Sequence, residues 1–214
     1  MTTLIFVRHG QSQANLDYVF AGHVDTPLTE LGVKQAENTA QFLKDFPIER
    51  IYASDLCRAR KTAEGTARLH GLSVIPDPAW REVEAGKWEG RPYAELLDSY
   101  GADYRTWIED CGNAHPDGGE SVVALSERIY AAFDRLLEEN RGKCVAVFSH
   151  ATPIRLLSAR WLGIPVKDLK DVPFSPNASV SIVDVDEEGT LTIRMLGYDG
   201  HQGDCSTALK KGIV

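Results

Sequence analysis

Two stretches of this 214-residue chain, LIFVRHG from Leu4 and VAVFSHA from Val145, end an apolar run in an imidazole followed by a small residue. A short continuous apolar run is the pattern of a strand buried on both faces. Strand ends usually carry turn residues, whereas Arg8 and His9 place a cation beside an imidazole. A third stretch, SDLCRARKTAE, puts Arg58 in the first turn after another short strand, Ile51–Ala53. In doubly wound α/β sheets, ligands bind beyond the carboxyl ends of the strands. If the first two strands are neighbours, His9 and His150 face one pocket. Arg8 and Arg58 would supply planar bidentate donors to phosphate oxygens. Nearby helix N-termini would add backbone N–H groups. Together these groups make a phosphate site.

The elements that must position these residues follow from periodicity. Thr29 caps an expected helix through ELGVKQAENTAQFLKDF that Pro47 ends. Arg58–His70 reads as the next helix, with Gly71 as its stop. Residues 10–30 read as a loop and 76–92 as irregular. Tyr93–Asp110 reads as a helix broken near Gly101, and Ser121 starts a long amphipathic helix to about Asn140. Pro153–Leu162 is a further helix, closed by Gly163. Ser179–Val185 and Thr190–Leu196 flank DEEG and read as a hairpin. The polar tail from Gly197 is expected to be ordered only in part.

Strands alternating with helices imply α/β architecture, here a three-layer αβα sandwich with a mostly parallel doubly wound sheet and an antiparallel edge strand. One domain over residues 1–214 is expected, with a helical cap and specificity segment at about 76–120.

The formal net charge of −8 argues against a generic nucleic-acid or membrane-surface binder. It leaves room for a small anionic substrate in a locally positive pocket. The four cysteines, Cys57, Cys111, Cys144 and Cys205, show no CxxC or Cys/His metal spacing and read as free thiols. LIFV is too short for a signal-peptide core, and no apolar stretch reaches membrane-span length. A cytoplasmic protein is expected. No interface signature indicates an oligomeric state.

RHGQSQAN resembles the signature of the histidine phosphatase superfamily, the phosphoglycerate-mutase-like proteins. GHVDTPLTELGVKQAE, SDLCRARKTAE, REVEAGKWEG, VFSHATPIR and PNASVSIVDVD continue the resemblance in the family's order, from Leu4 to about Asp186. The resemblance implies a phosphomonoester hydrolase with His9 as nucleophile, passing through a phosphohistidine. Arg8, Arg58 and His150 would hold the phosphoryl oxygens, and Asn15 would add a hydrogen bond. Glu82 would be the proton donor to the leaving group, with Glu84 as the alternative. His9 would be neutral at its attacking nitrogen and His150 open to being cationic. No metal or other cofactor is implied, because guanidinium groups fill that electrostatic role.

Plainer roles stand beside these. His23 in AGHVD reads equally as a substrate contact or a solvent-facing residue. Gly22 lets its loop approach the substrate closely, or serves a plain turn. Glu89 reads as structural, His70 as a helix C-terminal charge, and Arg155 as a helix-surface residue. Trp80, Trp88, Tyr93, Tyr100, Tyr104 and Trp107 read as cap packing, with some lining the leaving-group side.

Two other functions share such a phosphate core. A cofactor-dependent phosphoglycerate mutase must hold a second anion, and its family pattern has an Arg after the acid. Val83 stands there, and Arg105 is the lone basic residue in 94–120. Those departures favour hydrolysis, although Arg81 and Arg91 keep the mutase open. A non-catalytic phosphate-binding protein would lack the nucleophile or the acid, and His9 and Glu82 are both present. Gln11 and Ala151 replace residues common in the family without removing a chemical role.

Overall fold

The computed structural model describes residues 1–207. The expectation of a partly ordered tail therefore falls, for residues 208–214, outside the described residues.

The strands are β1 (Thr2–Arg8), β2 (Arg50–Ala53), β3 (Val74–Pro76), β4 (Cys144–Ser149), β5 (Val180–Val185) and β6 (Leu191–Tyr198). They form one sheet in the order β3-β2-β4-β1-β5-β6. The first four run parallel. β5 runs against β1, and the edge strand β6 pairs antiparallel with β5. The antiparallel edge is thus a two-strand hairpin.

The helices are α1 (Gln13–Leu16), α2 (Glu30–Leu43), α3 (Cys57–His70), α4 (Tyr93–Glu109), α5 (Val122–Glu139) and α6 (Ala151–Leu162). Side chains alternate across a strand, so one apolar run feeds two cores. Leu4, Phe6, Val145 and Val147 pack with Leu125, Ile129 and Phe133 of α5 and Leu157 of α6. Ile5, Val7, Ala146 and Phe148 pack with Leu43 of α2 and Ala63 of α3. Helices on both faces give the expected three layers. Each buried Leu, Ile or Phe contributes about 1.5–3 kcal/mol relative to exposure. These two cores hold the central strands in fixed register.

That register builds the site. β1 and β4 are adjacent, with Arg8 opposite Ser149. The next residues, His9 and His150, leave the sheet side by side at its carboxyl end.

Three local expectations change. The 10–30 stretch contains α1, nucleated by a capping box in which the Ser12 hydroxyl accepts from Asn15 N and the Asn15 amide oxygen accepts from Ser12 N. α6 starts at Ala151 rather than Pro153, because proline is tolerated in a first turn whose N–H groups lack helical partners. Residues 200–205 form a 3₁₀ turn against α2, where Gln202 is buried and donates to Thr39 Oγ1 at 3.0 Å. Gly101 breaks α4 as expected, with φ +41° and ψ −100°, a conformation that a side chain would strain.

Candidate active site

Arg8, the last residue of β1, is buried, with 5% of its surface exposed. Its Nη1 donates to the Ser175 carbonyl at 2.6 Å, while its buried Nε has no protein partner. A buried guanidinium N–H without an acceptor marks a place for an anion. Burial pushes Arg8 down to about 10, against the opposing pull of Glu82, so it stays a cation at neutral pH.

Arg58 lies in the first turn of α3. Its Nη2 donates to the Gly22 carbonyl at 2.7 Å and its Nη1 to the Val24 carbonyl at 2.8 Å. Burial lowers its pKa, opposed by Glu82 and then Asp25. Among the described residues, neither Arg8 nor Arg58 forms an ion pair with a carboxylate.

His9 Nδ1 is 2.7 Å from the Gly10 carbonyl oxygen. A carbonyl only accepts, so Nδ1 carries the proton and Nε2 keeps its lone pair. Burial, then Arg58 and Arg8, hold His9 well below the ordinary 6.5. The expected neutral ring therefore follows from its surroundings. The His150 ring stands 5.1 Å from it, centroid to centroid, at 63°.

His150 Nε2 is 2.8 Å from Ser54 Oγ, and its buried Nδ1 has no partner. Ser54 is fully buried, Leu56 N–H donates to its Oγ at 3.3 Å, and among the described residues His150 Nε2 is the acceptor its hydroxyl proton meets. The ring proton then sits on Nδ1. Burial, Arg58 and His9 depress His150 well below 6.5, so the ring is neutral here rather than cationic.

Glu82 follows a 3₁₀ turn at Pro78–Trp80. Its Oε1 accepts from Val83 N at 2.9 Å and its Oε2 from Thr152 N at 3.1 Å. The second bond ties it to the first turn of α6. Glu84 is exposed and lies outside the cleft lining.

Asn15 Oδ1 accepts from Ser12 N and from Asn177 Nδ2, both at 3.1 Å. Those bonds fix the amide, and Nδ2 is the donor left for a ligand. Gly22 has φ +49°, and a Cβ there would sit 2.5 Å from Glu89 Oε1. The close approach that needs glycine is thus to Glu89, although Gly22 also lines the cleft. Glu89 accepts from His23 N and Ala85 N, the structural role expected of it. His23 is half-buried, and its Nε2 donates to the Glu82 carbonyl at 2.9 Å, a backbone partner that the sequence did not indicate.

The cleft holds about 60 Å³ between these groups. Arg8, His9, Arg58 and Glu82 line its polar end, and Phe20, Tyr93, Trp107 and Phe174 line the rest. The aromatic residues divide as follows. Trp88 and Tyr104 pack beneath, edge to face at 5.4 Å, while Tyr93 and Trp107 reach the cleft. A larger groove of about 480 Å³ lies at the opposite end of the sheet, lined by Thr2, Asp186, Glu187 and Glu188. Its three carboxylates outnumber its one cationic side chain, Arg141, and among the described residues no imidazole lines it.

Arg155 is buried rather than on a helix surface. It donates to the Val172 carbonyl and stacks 4.0 Å from the Phe174 ring, so it shapes the cleft wall from behind. Sequence reading also passed over Ser54, Asn177, Thr152 and Phe174. For Thr152, position alone was a usable signal, since it follows a strand-end histidine at a helix start. Among the described residues, no three His, Cys, Asp or Glu side chains are grouped as metal ligands. No helix there is long and apolar enough to cross a membrane.

Comparison with known proteins places this arrangement. The family model for the histidine phosphatase superfamily (branch 1) matches residues 4–196. The adenosylcobalamin/alpha-ribazole phosphatase of Escherichia coli K12 is 34% identical over 164 residues, covering 77% of this chain and 81% of the relative. A probable phosphoglycerate mutase, GpmB of Yersinia pestis, is 34% identical over 195 residues, covering 89% and 88%. The solved structure of Bacillus stearothermophilus YhfR superposes with a TM-score of 0.90 at 27% identity, covering 94% of this chain and all of that one. With strand order, site and family model in agreement, the chain belongs to the histidine phosphatase superfamily.

Proposed function

We propose that the protein hydrolyses phosphomonoesters through a phosphohistidine on His9. One observation carries this reading: His9 presents an unprotonated Nε2 in a buried site flanked by two arginines that, among the described residues, form no ion pair with a carboxylate. Arg8 Nε, Arg58, His150 Nδ1 and Asn15 Nδ2 hold the phosphoryl oxygens and stabilise charge as it develops. The Nε2 lone pair forms the P–N bond while the P–O ester bond breaks, and protonated Glu82 gives its proton to the leaving oxygen. Glu82, now a carboxylate, takes a proton from water. The resulting hydroxide attacks phosphorus, the P–N electrons return to Nε2, and phosphate leaves. No step is routed through a metal or other cofactor.

Hydrolysis is favoured over the mutase reaction by the cations present. Arg8 and Arg58 are the only basic side chains other than His9 in the cleft lining among the described residues. Arg81 is bidentate on Asp55, and Arg91 donates to the Lys87 carbonyl. A second anionic group would find no clamp. The aromatic wall suits an uncharged leaving group, and residues 76–120 form the cap that selects it within a single domain. The substrate is a small phosphorylated molecule met in the cytoplasm, with neither nucleic acid nor membrane as partner.

The test is phosphate release across a panel of phosphomonoesters with EDTA present, run beside conversion of 3- to 2-phosphoglycerate. The panel includes α-ribazole phosphate, phosphorylated sugars and phosphoglycerates. Release without isomerisation is expected. Isomerisation stimulated by 2,3-bisphosphoglycerate would make the protein a mutase.

A further inference from the structure

Glu82 sits in a stretch that neither helix nor sheet holds, since residues 81–85 have no regular hydrogen-bond ladder. Irregular backbone still has to satisfy its carbonyl groups. Here a single side chain on α5 does so for three of those in and beside the stretch. Arg128 Nη1 donates to the carbonyls of Ala79 at 2.8 Å and Arg81 at 3.1 Å, and Nη2 to the carbonyl of Glu82 at 3.1 Å. The guanidinium is itself fixed by a bidentate pair with Glu120, at 2.9 and 2.7 Å. Glu120 N in turn donates to the Glu84 carbonyl at 2.8 Å. His23 Nε2 approaches the Glu82 carbonyl from the other side.

Arg128 spends its guanidinium on those carbonyls and on Glu120, behind the acid rather than in the cleft lining. We infer that Arg128, held by Glu120, is the positioning residue for Glu82: its guanidinium gathers three backbone carbonyls and thereby aims the carboxyl at the leaving group. The inference rests on the proton-donor reading of Glu82. A planar fork is required, because three carbonyls and two carboxylate oxygens are met at once. A lysine has the charge but three donors on one nitrogen.

Arg128→Lys is therefore the test, because it keeps charge and most of the volume. Two quantities are measured. The first is kcat/KM for an alkyl phosphate and for p-nitrophenyl phosphate, whose leaving group needs little protonation. The second is hydrogen exchange at the Val83 and Thr152 amides, which bond the Glu82 carboxyl, with the His9 amide as reference. Glu120→Gln is the companion variant.

Arg128→Lys is expected to lower kcat/KM about 10-fold or more for the alkyl ester and under about threefold for the aryl ester. Val83 and Thr152 should exchange faster and His9 should not. Inorganic phosphate should inhibit as before, since Arg8 and Arg58 are untouched. Added to Glu82→Gln, the Arg128 change should cost nothing further on the alkyl ester. Unchanged exchange at Val83 and Thr152 overturns the inference, as does equal loss on both esters when Glu82→Gln itself discriminates them. If Glu82→Gln fails to discriminate the esters while Arg128→Lys still frees those amides, the positioning stands and the proton-donor reading of Glu82 falls.

Discussion

The Gly10 carbonyl oxygen accepts the His9 Nδ1 proton at 2.7 Å, and that one contact leaves the lone pair on Nε2. Phosphate taken up by the enzyme should reside on Nε2. Rapid acid-free quenching followed by ³¹P and ¹⁵N NMR of the labelled protein should find the Nε2 isomer. Phosphate on Nδ1 would contradict the geometry. His9→Ala should abolish the phosphoenzyme and lower kcat by about four orders of magnitude or more.

Stability should fall on the acid side earlier than carboxylates alone would require. His9 and His150 are both held neutral by burial, well below 6.5. Below pH 6.5 the unfolded chain binds a proton at each ring and the folded chain does not. Their stabilisation is thus complete above pH 6.5 and is lost as the pH falls. Each ring adds a slope of about 1.4 kcal/mol per pH unit in that window. Urea midpoints between pH 7 and 5 measure it. His150→Gln should flatten the dependence by about half, and a flat wild-type profile would refute the assignment.

Ser54 sets the state of His150. Ser54→Ala removes the partner of Nε2 and leaves a buried ring nitrogen unpaired, at a cost of about 1–3 kcal/mol. The ring tautomer is then free, and the Nδ1–H offered to the phosphoryl group is no longer guaranteed. A fall in kcat/KM of about 10-fold is expected with both aryl and alkyl esters. This pattern separates it from a Glu82 defect, which follows the leaving group.

Gly22→Ala should damage both fold and activity. The position has φ +49°, and the added Cβ would lie 2.5 Å from Glu89 Oε1. Backbone strain alone costs about 1–3 kcal/mol. The Gly22 carbonyl also accepts from Arg58, so KM should rise as that cation is displaced. Thermal melts and steady-state kinetics on one preparation test both effects.

Cys57 adjoins Arg58 and is partly exposed, yet it should be a poor alkylation target. Burial, then Asp25, push its thiol up from 9.0 to about 11. Two units mean about 100-fold less thiolate than an ordinary thiol at the same pH. Mass spectrometry after timed iodoacetamide treatment should show slow labelling. Rapid labelling would mean that the surrounding loop opens.

The central strands and the two strand-end imidazoles were legible because their signals are local: unbroken apolar runs, then His9 or His150 at the run's end. Glu82 was legible only through resemblance, since an acid in irregular chain has no periodicity to mark it. Arg128, Asn177 and Ser54 were not legible. Their partners are backbone carbonyls or rings 47, 168 and 96 residues away in sequence, at Arg81, His9 and His150. Such contacts leave no pattern in composition or spacing. Arg155 misled for a related reason: it occupies a helix position that faces inward, and its charge is absorbed by the Val172 carbonyl and the Phe174 ring. The short α1 escaped because four residues are too few to show a helical repeat.

Arg8 and Arg58 are held by carbonyl dipoles of Ser175, Gly22 and Val24 rather than by carboxylates. Among the described residues, an arriving phosphoryl group therefore has no salt bridge to break at either guanidinium. The same readiness greets the departing product. Free phosphate competes for the pocket on equal electrostatic terms, so the concentration of the product in the surroundings acts as a brake on the rate at which the pocket can be used again.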